Sequence, residues 1–187
     1  MKAFSNLLSD LILTSSRNRK LSLLEQYFSS TPDPDRGYAL AALTGSLNFK
    51  NIKSSFFKDL IKEKQDEHLF DLSYDYVGDL AETISLLWDQ EKSGNMPRLS
   101  SLFENLKKAK NDELKNHIIN ILNISTADQR WAFIKLFTGG LRIGVSSRLV
   151  KQALANYGNV DLEEIEKIWH GLHFPYTNLF SWLENKG

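Results

Sequence analysis

The stretch from Thr138 to Ser147 reads Thr-Gly-Gly-Leu-Arg-Ile-Gly-Val-Ser-Ser and carries the clearest chemistry in the chain. Gly139 and Gly140 can take positive φ and have no side chain to block a close approach. An apolar periodic run from Trp131 to Phe137 precedes them, and a second, through Leu149, Val150, Ala153 and Leu154, follows. The spacing predicts a helix that stops at Gly139–Gly140 and another that starts at Ser146 or Ser147. Such a turn presents bare backbone N–H groups at the positive end of a helix dipole, which suits a phosphate. Arg142 can add a charge-assisted, bidentate contact, with Arg148 and Lys151 nearby. Nothing here reads base edges, so binding through this turn would ignore sequence and fall with salt. The same residues also fit a glycine-tightened connection with a surface arginine, and residue types alone do not choose between the two.

Other constellations are weaker. Gly139-x4-Gly144-Val145-Ser146 nearly fits a nucleotide-binding loop, but Val145 stands at the lysine position and a helix, not a strand, precedes it. His170 and His173 have a spacing that some metal sites use, yet the chain has no cysteine and Gly171 lies between them. His68 and His117 fall on amphipathic helices. Asp71, Asp75, Asp79 and Glu82 recur at near-helical spacing, but Gly78 interrupts them, and a solvated acidic face is the simpler reading. Trp88, Trp131, Trp169 and Trp182 lie on apolar stripes and are expected in the core.

The elements that position these residues are helices. Leu7, Leu8, Leu11 and Ile12 share one helical face, as do Leu21, Leu24, Tyr27 and Phe28. Leu99, Leu102, Phe103 and Leu106 repeat the pattern, followed by Leu114, Ile118, Ile121 and Leu122. This is 3.6-residue periodicity, with strand-like alternation nearly absent. Thr126 with Gln129 has capping-box spacing, and Asp161 with Glu164 is an acidic analogue. Pro34, Pro97 and Pro175 stand where helices can begin, and Gly45, Gly94, Gly139 and Gly158 where they can end. The expectation is an all-α chain of about ten to twelve helices, forming a single helical domain over residues 1–187.

The composition is that of a globular protein: 187 residues, 42% hydrophobic, 25% charged, and no net charge. That excludes a disordered or low-complexity chain, and the absence of cysteine excludes a disulfide framework, a thiolate zinc site and a cysteine nucleophile. No apolar run reaches the length of a membrane span, so no membrane association is expected and a cytoplasmic, nucleoid-associated location is. The charge is uneven along the chain. Asp59 to Glu91 holds ten acids and two lysines, whereas Arg130 to Lys151 holds five basic residues and no acid. Arg17, Arg19 and Lys20 add to the basic side. A basic face of this kind could meet a polyanion.

The chain also looks written twice, approximately over 1–93 and 94–187. Moved by 94 residues, Arg36–Phe49 lies without gaps over Arg130–Ile143, with Arg, Thr, Gly and Leu identical at 36/130, 44/138, 45/139 and 47/141. Helical periodicity does not explain the shared Thr-Gly-x-Leu, so two similar halves are expected, with a pseudo-two-fold relation. The first-half counterpart of the glycine turn is Thr44-Gly45-Ser46, with Asn48 in place of Arg142. Two such turns could hold the two backbones flanking a minor groove.

The stretch Asp128–Ala155 resembles the N-terminal DNA-binding region of ATP-dependent DNA ligases, which has a Gly-x-Leu-Arg-hydrophobic-Gly turn followed by a helix ending in Ala-Leu. Thr14–Leu21, Thr31–Gly45 and Leu72–Thr83 are similar to the bacterial branch. The resemblance spans most of the chain. It implies an all-helical domain that encircles nicked duplex DNA together with a catalytic core, touches mainly minor-groove backbone, and has internal pseudo-two-fold symmetry. It implies phosphate contact at Gly139, Gly140, Arg142 and Gly144, and secondarily at Arg17, Arg19 and Lys20. Ser146, Arg148, Thr44, Gly45 and Ser46 complete the candidate set.

The chain departs from a whole ligase in one way. The family's catalytic Lys-x-Asp-Gly, whose lysine takes up AMP, is absent; the nearest string, Lys110-Asn111-Asp112-Glu113, lacks the glycine. No cofactor is therefore expected in this chain, with ATP and Mg belonging to a nucleotidyltransferase and OB-fold core elsewhere. The reading is of a piece of a longer ligase, or a separately encoded domain, that binds nicked double-stranded DNA without sealing it. The alternative is a helical protein–protein adaptor whose acidic and basic faces meet protein partners.

Overall fold

Every element of regular structure among the described residues is helical, as the periodicity predicts. The computed structural model describes residues 1–47, 49, 52–88, 95–138 and 145–186. In order they form α1 (Lys2–Leu13), α2 (Arg17–Ser30), α3 (Asp35–Leu43), α4 (Ser54–Lys64), α5 (Glu67–Val77) and α6 (Leu80–Leu87). Then come α7 (Leu99–Lys108), α8 (Asn111–Ile124), α9 (Ala127–Phe137), α10 (Ser147–Gly158), α11 (Leu162–Ile168), a 3-10 turn at Trp169–Gly171, and α12 (Thr177–Lys186). The chain is all-α, with no strand among the described residues.

The caps follow the sequence signals. The Thr126 hydroxyl accepts from the Gln129 N–H at 3.3 Å while the Gln129 amide oxygen accepts from the Thr126 N–H at 3.0 Å, so α9 starts in a reciprocal box. Glu164 accepts from the Asp161 N–H at 3.4 Å at the start of α11. Gly78 takes a left-handed conformation and ends α5, and Asp79 opens α6 by accepting from the Glu82 N–H at 2.9 Å.

The chain divides into two compact units, Met1–Asn6 with Asn48–Gly140, and Leu7–Leu47 with Leu141–Gly187. In the first, α6 packs mainly on α9 and α5. Its core includes Phe57, Phe103, Phe133 and Phe137 from α4, α7 and α9, with ring centroids between 5.0 and 6.3 Å apart where they meet. Phe49 joins them, stacked on Phe103 at 5.4 Å and edge-on to Phe137 at 5.0 Å. In the second unit α10 is the central helix, packing most extensively on α2, then on α12, α11 and α3. Val150, Ala153 and Leu154 of α10 are fully buried there, with Leu24 and Phe28 of α2 and Phe180 of α12.

The 94-residue offset of the sequence match recurs in the bounds of several helices, which by itself fixes no symmetry between the halves. α2 and α8 are offset by 94 residues at both ends, and α9 and α10 end 94 residues after α3 and α4. Each unit draws on both halves: the first takes α4 to α6 from one and α7 to α9 from the other, and the second takes the complement. The paired arginines behave alike. Arg36 and Arg130 are both buried, near the starts of α3 and α9. The Arg36 guanidinium donates to the Phe28 carbonyl at 3.1 Å, to Asp33 at 2.8 and 2.9 Å, and to Glu184 of α12. The Arg130 guanidinium donates at 3.0 Å to the carbonyl of Trp88, the residue after α6. Thr44 and Thr138 match too, each hydroxyl bonding back to the carbonyl four residues earlier, at 2.8 and 3.1 Å.

The expected placement of the tryptophans needs correction. Trp88 is buried, its indole N–H donating to Asn123 at 3.0 Å. Trp131, Trp169 and Trp182 are half-buried. Their rings exceed the apolar stripe they sit on, so part of each stays wet. Ile12, expected on the buried face of α1, is 44% exposed.

Gly37 is required by a close approach. A Cβ built there would lie 1.7 Å from the Pro175 carbonyl oxygen, a backbone atom that cannot swing away. Gly37→Ala should therefore destabilise the protein by roughly 2 kcal/mol or more, because the overpacking must be relieved by moving the segment before α12. Urea unfolding followed by circular dichroism measures this as a lowered midpoint. An unchanged midpoint would contradict the packing described.

Candidate nucleic-acid interface

The second half of the sequence-predicted turn is described, and its geometry is that of a capped helix start. Ser146 is extended (φ −86°, ψ 159°) and its hydroxyl accepts from the Leu149 N–H at 3.1 Å, so α10 begins at Ser147 as expected. This leaves the first-turn N–H groups of Ser147 and Arg148 pointing out of the helix start without a partner among the described residues. Ser146, Ser147 and Arg148 are exposed, and Arg148 makes no ion pair among the described residues. The arrangement offers an anion two bare amides, a positive dipole end and a guanidinium. Gly139, Gly140, Arg142 and Gly144, the centre of the predicted site, lie outside the described residues.

The start of α2 repeats this arrangement. The Ser16 hydroxyl accepts from the Arg19 N–H at 3.2 Å, and Arg17 and Arg19 are exposed with no ion pair among the described residues, while Lys20 is half-buried. Because α2 is the main packing partner of α10, one unit carries two serine-capped helix starts, each followed by exposed arginine. In the sequence, Ser16 stands directly before the basic run Arg17–Lys20, where charge and capping point to the same position.

Thr44, Gly45 and Ser46 also belong to this unit but differ chemically from the expectation. Gly45 takes φ +77°, where glycine is favoured. The Ser46 N–H donates to the Ala41 carbonyl at 2.7 Å and the Gly45 N–H to Ala42 at 3.3 Å. The turn thus closes the C-terminus of α3 as a Schellman-like cap. Its amides are already used, and the helix end it covers is the negative one, which disfavours an anion. What it exposes is the Ser46 hydroxyl, 3.4 Å from that of Thr44.

The basic stretch from Arg130 to Lys151 does not form one basic face. Arg130 is only 2% exposed and serves the core. Lys135 is ion-paired with Asp79. Lys151 lies 3.3 Å from Glu166 and 4.7 Å over the Trp169 ring. Sequence counting cannot separate cations that meet solvent from cations that pack.

Asp79 is correspondingly structural. Burial pushes its carboxyl up, but the Lys135 ammonium and the N–H groups of Glu82 and Ala81 outweigh that and hold it below its ordinary value of 3.8. No group of acids or histidines among the described residues is arranged to hold a metal ion. His170 and His173 are exposed.

Fold and site together define an all-helical domain whose second unit presents capped, arginine-bearing helix starts. The family model described as DNA ligase N terminus matches residues 1–155, from α1 through most of α10. This chain belongs to that family and is an N-terminal domain of the ATP-dependent DNA ligase type. No curated protein matches it. No helix among the described residues is long and apolar enough to cross a membrane.

Two outcomes follow from these contacts. Asp79 is lowered on folding, so its contribution is present above its unfolded value near 3.8 and disappears as pH falls through the lower folded value. Asp79→Asn should therefore lose stability at neutral pH and show a flatter loss on acidification below about pH 4 than the parent. Urea midpoints measured across that range test this; parallel profiles would refute it. Ser146→Ala should cost about 1 kcal/mol, the ordinary value of a helix cap, read as a lowered thermal midpoint.

Proposed function

We propose that this chain is the non-sequence-specific DNA-binding domain of an ATP-dependent DNA ligase, contacting the minor-groove backbone of nicked duplex. It would position the nick for a nucleotidyltransferase and OB-fold core that binds ATP and Mg. The observation that carries the reading is the exposed start of α10, capped by Ser146 and bearing Arg148, directly after the Gly139–Gly144 sequence in a chain of the ligase family. Affinity would come from phosphate neutralisation and helix-dipole contacts, with little from base edges.

Within this proposal Gly139, Gly140, Arg142 and Gly144 approach one backbone, supported by Arg148 and the amides of Ser147 and Arg148. Arg17, Arg19 and Lys20 at the start of α2 act as a second contact. Thr44, Gly45 and Ser46 contribute through the Ser46 hydroxyl and bind more weakly than the second-half turn, since their amides are spent inside the α3 cap. The two halves would face the two strands across a pseudo-dyad. This chain alone would neither accept AMP nor seal a nick, for want of Lys-x-Asp-Gly.

Fluorescence anisotropy with a labelled nicked duplex over a salt series is the test. Binding should weaken steeply with salt and be the same for unrelated sequences. Arg142→Ala and Arg148→Ala should each lower affinity and reduce the salt slope by about 0.9, the value of one neutralised phosphate. No binding at low salt would favour the adaptor reading. Unchanged affinity and slope in both variants would show that this turn is not the phosphate clamp.

A further inference from the structure

The acidic segment of the chain surrounds exposed apolar surface. On α5, Leu69, Leu72 and Tyr76 follow each other at i, i+3 and i+7, a spacing that ordinarily faces a core. Here they are 46%, 55% and 92% exposed. Beside them on α6, Leu86 is 65% exposed. Between the two helices runs an open, largely apolar groove of about 380 Å³, lined by Leu72, Tyr76, Val77, Leu86 and Leu87 among others. The buried side of α5 is a different face, carrying Phe70 and the half-buried Tyr74, so the exposed stripe is surplus to what holds α5 in its unit.

Exposed acids flank the groove's lining residues along α5 and α6. Asp71 and Asp75 each precede an exposed apolar residue of the α5 stripe, and Glu82 lies one turn before Leu86. All three are exposed, and none has an ion pair among the described residues. The neighbouring cations are already engaged: Lys62 with Glu67 at 3.3 Å, Lys135 with Asp79, Lys58 over the Tyr74 ring at 5.4 Å and Lys64 over the Trp88 ring at 5.3 Å. The groove therefore repels a polyanion and selects for a cationic apolar partner.

We propose that the α5–α6 groove is a protein-docking site for an amphipathic helical segment of a partner, with apolar anchors at i, i+3 or i+4 and i+7 and lysine or arginine on its flanks. The anchors fill the space between Leu72, Tyr76 and Leu86, and the flanking cations meet Asp71, Asp75 and Glu82. The site lies in the first unit, whereas the described residues of the proposed DNA contact lie in the second. The two readings stand or fall separately.

The test uses the whole chain and a synthetic helical peptide of about 14 residues with leucines at those positions and lysines elsewhere, in the groove-binding mode of amphipathic helices. A control peptide carries glutamate for every lysine. Amide spectra of the labelled protein should shift over residues 69–87 with the lysine peptide and not with the control. Leu72→Ser with Tyr76→Ser, both at exposed positions and checked for an unchanged thermal midpoint, should weaken binding at least ~10-fold, as loss of central anchors does. Asp71→Lys with Asp75→Lys should weaken it and flatten its salt dependence. Three results would overturn the proposal. One is no shift with the lysine peptide, and another is equal binding of the two peptides. The third is a concentration-dependent dimer abolished by Tyr76→Ser, which would make a second copy of this chain the occupant.

Discussion

Two buried guanidinium groups, one in each unit, tie helix ends together. Burying an arginine is costly unless its charge and its N–H groups are met. Burial opposes the charge of Arg36, but hydrogen bonds and ion pairs to Asp33 and Glu184 more than restore it, so it stays protonated. Its plane also lies 4.2 Å over the Phe180 ring. Arg36 thereby joins the end of α2, the start of α3 and the end of α12 in one fork. Arg130 does the corresponding work in the other unit, through the Trp88 carbonyl, with the Trp88 indole passing the connection to Asn123 of α8. Both arginines sit about two turns before a Thr-Gly pair in the sequence, so α3 and α9 are fixed at their roots. Phe133 and Phe137, within the phenylalanine cluster, fix the far end of α9.

The arginines at 36 and 130 and the threonines at 44 and 138 make similar contacts, while the residues between them differ. The arginine must reach a helix end, and the threonine must cap its own helix by bonding four residues back. The positions beyond each threonine are not bound by those needs. The Thr44–Ser46 turn is a closed cap, whereas Thr138 is followed in the sequence by the glycine-rich stretch that precedes α10.

The helical character, the caps at Thr126, Ser146 and Asp161, and the breaks at Gly78 and Gly45 were legible in the sequence, because each depends on residues within a few positions of one another. Leu21, Leu24, Tyr27 and Phe28 are buried for the same local reason. What was not legible depends on distant partners. Arg130 and Lys135 look like surface charge until the two residues that flank α6 meet them, the Trp88 carbonyl and Asp79. Trp131, Trp169 and Trp182 lie on apolar stripes, yet no stripe says how deep a large ring will sit. The Thr44–Ser46 turn has the composition of a phosphate loop, but its amides are claimed by Ala41 and Ala42. The exposed stripe of Leu69, Leu72 and Tyr76 would read as core by periodicity alone.

In the proposed DNA contact, bare amides at the start of α10, with the Gly139–Gly144 segment before them, grip sugar–phosphate backbone. An amide titration of the isotope-labelled chain with nicked duplex tests it most directly. The largest shifts should fall on Gly139 to Arg148, with a smaller set at Arg17 to Lys20, and little change at Gly45 and Ser46. Shifts absent from Gly139–Arg148, or centred on the acidic residues of α5 and α6, would contradict it.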